Sequence, residues 1–172
     1  MDETAIHAVT QAAFAKPGEP EPAEADLVDW LRLDEGWIPS LSMVAIIDDR
    51  VVGHVVATRG WIAAESTAQG WVSESTALGL GPLSVHPEHQ RRGVGLALMH
   101  AVLGAADALG ESLIALLGSP DYYSRFGFRD ATELNITSPD PTWGRYFQAR
   151  ALTAFDGTQI GQFRYAEPFS RL

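Results

Sequence analysis

The sequence has no cysteine in its 172 residues. That excludes disulfides, thiolate nucleophiles and zinc–thiolate centres, and it fits a cytoplasmic protein. Positive charge is scarce too: Lys16 is the only lysine, and 12 basic residues face 22 acidic ones for a net charge of −10. Nucleic-acid binding needs a basic face to neutralise phosphates, so no nucleic-acid partner is expected. The acid excess would favour a cationic ligand such as an amine, although in most acidic proteins such a field serves solubility alone. No apolar run approaches the ~20 residues of a membrane helix, and Met1-Asp2-Glu3-Thr4 lacks the cationic start of a signal peptide. No membrane partner is expected either. Repeats, linkers and low-complexity tracts are missing as well, so residues 1–172 read as a single domain.

Periodicity then gives the order of elements. Ile6, Val9, Ala13 and Phe14 space a helix over Glu3–Ala15, which Pro17-Gly18 and the prolines after it end. Leu27, Trp30, Leu31 and Leu33 form the apolar side of a second helix, Ala23–Asp34, with Gly36 as its stop. Short β-branched runs at Ser42–Ile47 and Val51–Thr58, joined by Asp48-Asp49, predict a hairpin. The polar stretch Ile62–Ser75 reads as a long hairpin connection. A strand over Thr76–Val85 contains Gly79, Gly81 and Pro82, and a proline without an N–H predicts a bulge or splay there. An amphipathic helix follows at Gly93–Leu109, then a fully apolar strand at Leu113–Leu117. Ser119-Pro120 supplies an N-cap and a first-turn proline for a short helix ending at Gly127. Weaker strands are expected at Phe128–Thr132 and Tyr146–Ala151, with a turn at Asp156-Gly157. The fold class is mixed α/β.

The chemistry concentrates in Leu83-Ser84-Val85-His86-Pro87-Glu88-His89-Gln90-Arg91-Arg92-Gly93-Val94-Gly95-Leu96. A strand ends, a glycine-rich turn follows, and a helix starts with its first N–H groups unpaired. Those donors and the positive end of the helix dipole make an anion site. Gly93 and Gly95 let a diphosphate approach the backbone, and Arg91 and Arg92 add charge beside it. The P-loop pattern is missing. Gly93-Val94-Gly95 lacks the third glycine of a dinucleotide fingerprint, with Leu98 in its place.

Gln90-Arg91-Arg92-Gly93-Val94-Gly95, between a strand and an amphipathic helix, resembles the Q/R-x-x-G-x-G/A pyrophosphate loop of the GNAT-superfamily N-acetyltransferases. Gly118-Ser119-Pro120-Asp121-Tyr122-Tyr123-Ser124-Arg125-Phe126-Gly127-Phe128 resembles that family's second block, a tyrosine-bearing short helix ending in Phe-Gly-Phe. The resemblance implies a central, mostly antiparallel sheet splayed between the strands near 76–85 and 113–117. It implies acetyl-CoA as cosubstrate, with no metal. Gln90 to Leu96 would hold the pyrophosphate, and Leu83, Ser84 and Val85 would pair their main chain with the pantetheine arm. Tyr123 matches the tyrosine the family places by the thioester sulfur, with Tyr122 as the alternative one register away.

The chemistry calls for such a group. Attack of an amine on a thioester makes an oxyanion, for which a fixed N–H of the Leu83–Val85 edge is the candidate partner. Collapse then expels a thiolate that a phenol can protonate. A base must take a proton from the substrate ammonium. Glu74 is the candidate, with a solvated loop carboxylate as its other reading, and Glu65 and His54 are the alternatives. His86 and His89 match no metal motif. Trp30, Trp37, Trp61 and Trp71 either line an acceptor pocket or pack. Two departures from the family stand out: its first strand is apparently missing, and an asparagine common in its second block is absent.

The expected function is transfer of an acetyl group to a primary amine of a small molecule or peptide, and a homodimer is compatible with it. The rival is a non-catalytic, coenzyme A-binding sensor or interaction module. The acceptor region would come from Pro17–Pro39 and Ile62–Ser75, where no residue pattern names a substrate.

Overall fold

Helix α1 (Glu3–Phe14) is the first element of the computed structural model, which describes residues 3–65 and 72–172. After it come α2 (Ala23–Leu33), β1 (Ser42–Ile47), β2 (Arg50–Glu65), β3 (Val72–Val85), α3 (Val94–Ala108), β4 (Leu113–Leu117) and α4 (Pro120–Tyr123). Four short strands close the order: β5 (Arg129–Asp130), β6 (Ile136–Thr137), β7 (Phe147–Ala151) and β8 (Gly161–Arg164). None of the described helices is long and apolar enough to cross a membrane. The chain divides into two compact units, one built from Met1–Thr58, Leu80–Ala105 and Ala166–Leu172, the other from Arg59–Gly79 and Ala106–Tyr165.

In the first unit, α2 buries Leu27 and Leu31 against Val56 and Ala166, and Trp30 and Trp37 pack onto that cluster. Those two tryptophans therefore have a packing role. β1 pairs antiparallel with β2 from Ser42↔Val56 to Ile47↔Arg50. The expected Asp48-Asp49 turn is present, with both residues at positive φ, 48° and 60°. That left-handed pair matches the right-handed twist of the two strands, and aspartate tolerates it better than most residues. α3 starts against β2 at Gly53, where a Cβ would come within 2.9 Å of Leu98 Cδ1 and 3.0 Å of Ser84 O. Glycine at that position lets helix, β2 and β3 meet at backbone distance.

The strand order of the sheet is β5-β7-β4-β3-β2-β8-β6, and the second unit holds β4 to β8 with Arg59–Glu65 of β2 and Val72–Gly79 of β3. β4 runs antiparallel to β7 along its whole length, from Leu113↔Ala151 to Leu117↔Phe147. β3 and β4 are parallel, a pairing that needs a crossover between them, supplied in chain order by α3. Their ladder covers only Leu78↔Ile114 and Gly79↔Ala115, so the strands part where the splay was expected. Gly81 follows at φ 143°, a value few other residues adopt. The core collects Ile62, Ala77, Leu113, Ala115, Phe147 and Phe163 among others.

Three expectations need correction. Ile62–Ser75 is not one long connection: β2 runs on to Glu65 and β3 starts at Val72, while 66–71 lie outside the described residues. The reason is β8, which pairs with β2 at Trp61↔Arg164, Ile62↔Phe163 and Ala63↔Gln162 and buries Ile62 almost completely. The strand expected at Phe128–Thr132 shrinks to Arg129–Asp130. Asp130 Oδ1 accepts from Thr132 N at 3.0 Å and from its hydroxyl at 2.6 Å, turning the chain into a 3-10 segment instead. Ser119 stands at the N-cap of α4 but makes no side-chain cap bond, so Pro120 and the Ser119 carbonyl start that helix.

The same unit holds a partly buried, two-pronged ion pair. Arg59 Nη1 and Nη2 donate to the two Glu111 carboxylate oxygens at 2.7 and 2.8 Å. It ties β2 to the turn that leads into β4. Arg59→Ala should lower the free energy of urea unfolding by about 3 kcal/mol, because Glu111 is left poorly solvated and alone. The double replacement Arg59→Met with Glu111→Leu should recover most of that loss. Additive losses in the double variant would contradict this account of the pair.

Candidate active site

The loop before α3 is built by backbone conformation first. Arg91 and Gly93 both have left-handed φ, 59° and 85°. Alternating left-handed residues turn successive N–H groups toward one side, the geometry of an anion-binding nest. α3 then begins at Val94, and its first bond closes from Ala97 N to Gly93 O at 2.9 Å. The N–H groups ahead of Ala97 therefore have no intrahelical acceptor. A Cβ built on Gly93 meets nothing within 4 Å, so the space in front of this turn is open. Arg91 and Arg92 are exposed, and neither joins an ion pair among the described residues. Val94 is buried and anchors the helix, while Leu96 is exposed.

The same unit places the Leu83–Val85 edge beside this loop. Gln90 Nε2 donates to Val85 O at 3.1 Å, joining the strand end to the turn. Ser84 is fully buried, its hydroxyl donating to Thr10 Oγ1 at 3.1 Å. Its side chain is thus committed to α1, and what this residue offers a ligand is main chain. The edge then turns away as His86 N donates to Val52 O at 2.9 Å. His86 Nδ1 accepts from Glu88 N, a turn-closing contact rather than a ligand's.

The second block lies in the other unit. Tyr123 sits at the end of α4 with its ring against Gly118, where any Cβ would collide with it, and edge-on to Phe128 at 5.9 Å. Gly118 is pinned by its N–H to Tyr146 O and by Gln148 Nε2 to its own carbonyl, both at 2.9 Å. Burial first, then Tyr122, pushes the Tyr123 phenol up to about 12, so it carries its proton at every working pH. Tyr122 differs. Burial raises it as well, but the Arg125 guanidinium lies over its ring at 4.9 Å and partly offsets the effect.

Of the base candidates, Glu74 is exposed and its carboxylate is engaged by Arg164 Nη2 at 2.7 Å. The Arg164 guanidinium also covers the Trp61 face at 4.3 Å. The side chain of Glu65 and all of Trp71 lie outside the described residues. His54 is wholly buried, with Nε2 2.9 Å from Ser42 Oγ, and it is a core histidine.

His54 gives the fold a pH dependence. Burial first, then the Arg32 charge, lowers its pKa from 6.5 to about 4. As pH falls, the unfolded chain takes up this proton before the folded one does. The contribution of neutral His54 is therefore intact above about 6.5 and is lost as pH drops toward 4, about 3 kcal/mol in all. Unfolding free energies measured across that window should fall with acid, and His54→Gln should flatten the slope. An unchanged slope would assign the acid sensitivity to other groups.

Comparisons with known proteins identify the family. Residues 1–131 match the acetyltransferase (GNAT) domain family. The N-acetyltransferase YjhQ of Escherichia coli (strain K12), itself uncharacterized, is 33% identical over 84% of this chain and 79% of its own. The crystal structure of the GNAT family N-acetyltransferase YhbS from Escherichia coli in complex with CoA has a TM-score of 0.83 at 28% identity, covering 99% of this chain and 88% of that one. A GNAT family acetyltransferase from Brucella melitensis, in complex with acetyl-CoA, has a TM-score of 0.74 at 31% identity, covering 98% of this chain and 92% of that one. With its glycine turn opening α3 and its tyrosine block after β4, the chain belongs to the GNAT acetyltransferases, enzymes that draw their acyl group from acetyl-CoA.

Proposed function

We propose that residues 1–172 act as one N-acetyltransferase domain that moves an acetyl group from acetyl-CoA to a primary amine by direct attack, with Tyr123 as general acid. The observation that carries this reading is the Tyr123 phenol, seated on Gly118 and kept protonated by burial. Residues Gln90 to Leu96 hold the diphosphate through the N–H groups of the turn, with Arg91 and Arg92 adding charge. Leu83, Ser84 and Val85 bind the pantetheine amides with main chain, and one of their N–H groups faces the oxyanion. The amine nitrogen bonds to the thioester carbon, the C–S bond breaks, and Tyr123 gives its proton to the departing thiolate.

Glu74 is the base in this reading, acting directly or through water, with Arg164 holding its carboxylate in place. The two relatives solved with CoA and with acetyl-CoA support the cosubstrate. The net charge of −10 supports a cationic acceptor, a small molecule or a peptide. The absence of cysteine is in keeping with a cytoplasmic setting.

The acceptor class is tested by thiol release from acetyl-CoA with primary amines and with their N,N-dimethylated counterparts. Release should occur only with amines that carry a removable N–H, in step with the acetamide detected by mass spectrometry. Coenzyme binding without release across a broad amine panel would instead support a sensor module.

A further inference from the structure

Lys16 is the only lysine in the sequence, so the chain carries a single side-chain primary amine. That side chain is 70% exposed, and its ammonium lies 3.4 Å from Glu19 Oε2 in the connection between α1 and α2. The course of α1 decides what the ammonium can reach. In the first half of the helix, Ala5, Ala8 and Val9 line a groove with Val44 and Ile46 of β1 and Val51 of β2. One residue further on, Thr10 Oγ1 accepts from the Ser84 hydroxyl of β3 at 3.1 Å. β2 pairs with β1 and with β3, so the helix crosses the strands in the direction from β1 to β3. It keeps that heading to its end, where Ala15 N still donates to Gln11 O at 3.0 Å. Six residues of helix past Thr10 are about 9 Å of rise. Lys16 therefore stands beyond the Ser84 contact, and its flexible stem can bring the amine back to the Leu83–Val85 edge. That edge is the one read above as the partner of the pantetheine arm.

We propose that Lys16 is an internal acceptor, a modification site that takes the acetyl group from the acetyl-CoA held by its own chain. The inference rests on the reading of the chain as an N-acetyltransferase for primary amines. The Lys16 ammonium first gives one proton to the Glu19 carboxylate, which passes it to water. The nitrogen lone pair then bonds to the thioester carbon, and the C–S bond breaks with its electrons on sulfur. The sulfur takes a proton from the general acid, and the nitrogen returns one to that acid as it becomes an amide. Nε-acetyl-lysine and free coenzyme A are the products. Amine and thioester on one chain meet by a local search rather than by an encounter in solution. The modified side chain carries no charge, so Glu19 loses its partner and the α1–α2 connection becomes more acidic.

The test is the full chain incubated with acetyl-CoA and no added amine. One acetyl group per chain should appear, mapped to Lys16 by peptide mass spectrometry, together with one equivalent of free thiol. The first-order rate constant should not change with protein concentration. In Gly93→Val, at acetyl-CoA below saturation, that rate should fall about 10-fold or more. Lys16→Arg should release no thiol under these conditions yet still turn over with added amines. An unmodified Lys16 in a chain that acetylates added amines would overturn the inference and leave the proposed function standing. So would equal rates in the parent and in Gly93→Val, the mark of spontaneous acetylation, or a rate constant that grows with protein concentration. Transfer neither to Lys16 nor to any added amine would overturn the N-acetyltransferase reading and this inference with it.

Discussion

Tyr123→Phe is expected to lower kcat about 100-fold or more, with coenzyme A affinity and melting temperature held. General acid catalysis of this kind contributes ~10²–10⁴ in rate, and a 100-fold loss is about 2.7 kcal/mol of barrier. The phenylalanine ring still fills the seat on Gly118 and still meets Phe128, so packing is conserved and the hydroxyl alone is removed. Tyr122→Phe is the control. The Tyr122 ring lies under Arg125 and 5.6 Å from Phe126, and its variant should turn over normally. Loss in Tyr122→Phe alone would shift the role by one residue. Normal rates in both variants would mean that the thiolate leaves without an acid, which a thiol of pKa ~8.5 can do.

Gly93→Val should weaken acetyl-CoA binding about 100-fold or more while costing only about 1 kcal/mol of stability. The stability cost comes from placing a side chain at φ 85°, a left-handed conformation that glycine alone adopts freely. The binding loss has a different origin. A Cβ at this position touches no protein atom within 4 Å, so it projects into open space in front of the anion-binding turn. Gly110 supplies the comparison, because it too has left-handed φ, 76°, and open space around it, at the other end of α3. Gly110→Val should cost similar stability and leave coenzyme binding alone. If both variants bind acetyl-CoA equally well, the turn at Gly93 is structural and the diphosphate lies elsewhere.

What the sequence made legible was local. The helix periods, the Asp48-Asp49 turn and the two functional blocks each depend on residues within a few positions of one another. The structure shows those elements within a residue or two of the expected ends. What stayed hidden depends on partners far along the chain. The continuation of β2 past Ile62 needs β8, whose Phe163 lies opposite Ile62, and an Ala- and Ser-rich stretch carries no strand signal of its own. Glu74 reads as a free carboxylate until Arg164, 90 residues later, reaches it. Arg59 and Glu111 are 52 positions apart and equally silent. Gly118 could have been read as the seat of Tyr123, five residues on. Gly79 could not, because Tyr165 comes to it from the far end of the chain. β5, β6 and β8 are too short to show a period.

The central claim is that the folded chain binds acetyl-CoA. Because a ligand bound only by the folded form stabilises it by mass action, acetyl-CoA at ~100 times its Kd should add about 2.7 kcal/mol. For a chain of this size that raises the melting temperature by roughly 5–10 °C. A shift of that order that grows with ligand concentration and is lost in Gly93→Val is the predicted result, and no shift at millimolar acetyl-CoA would contradict the account.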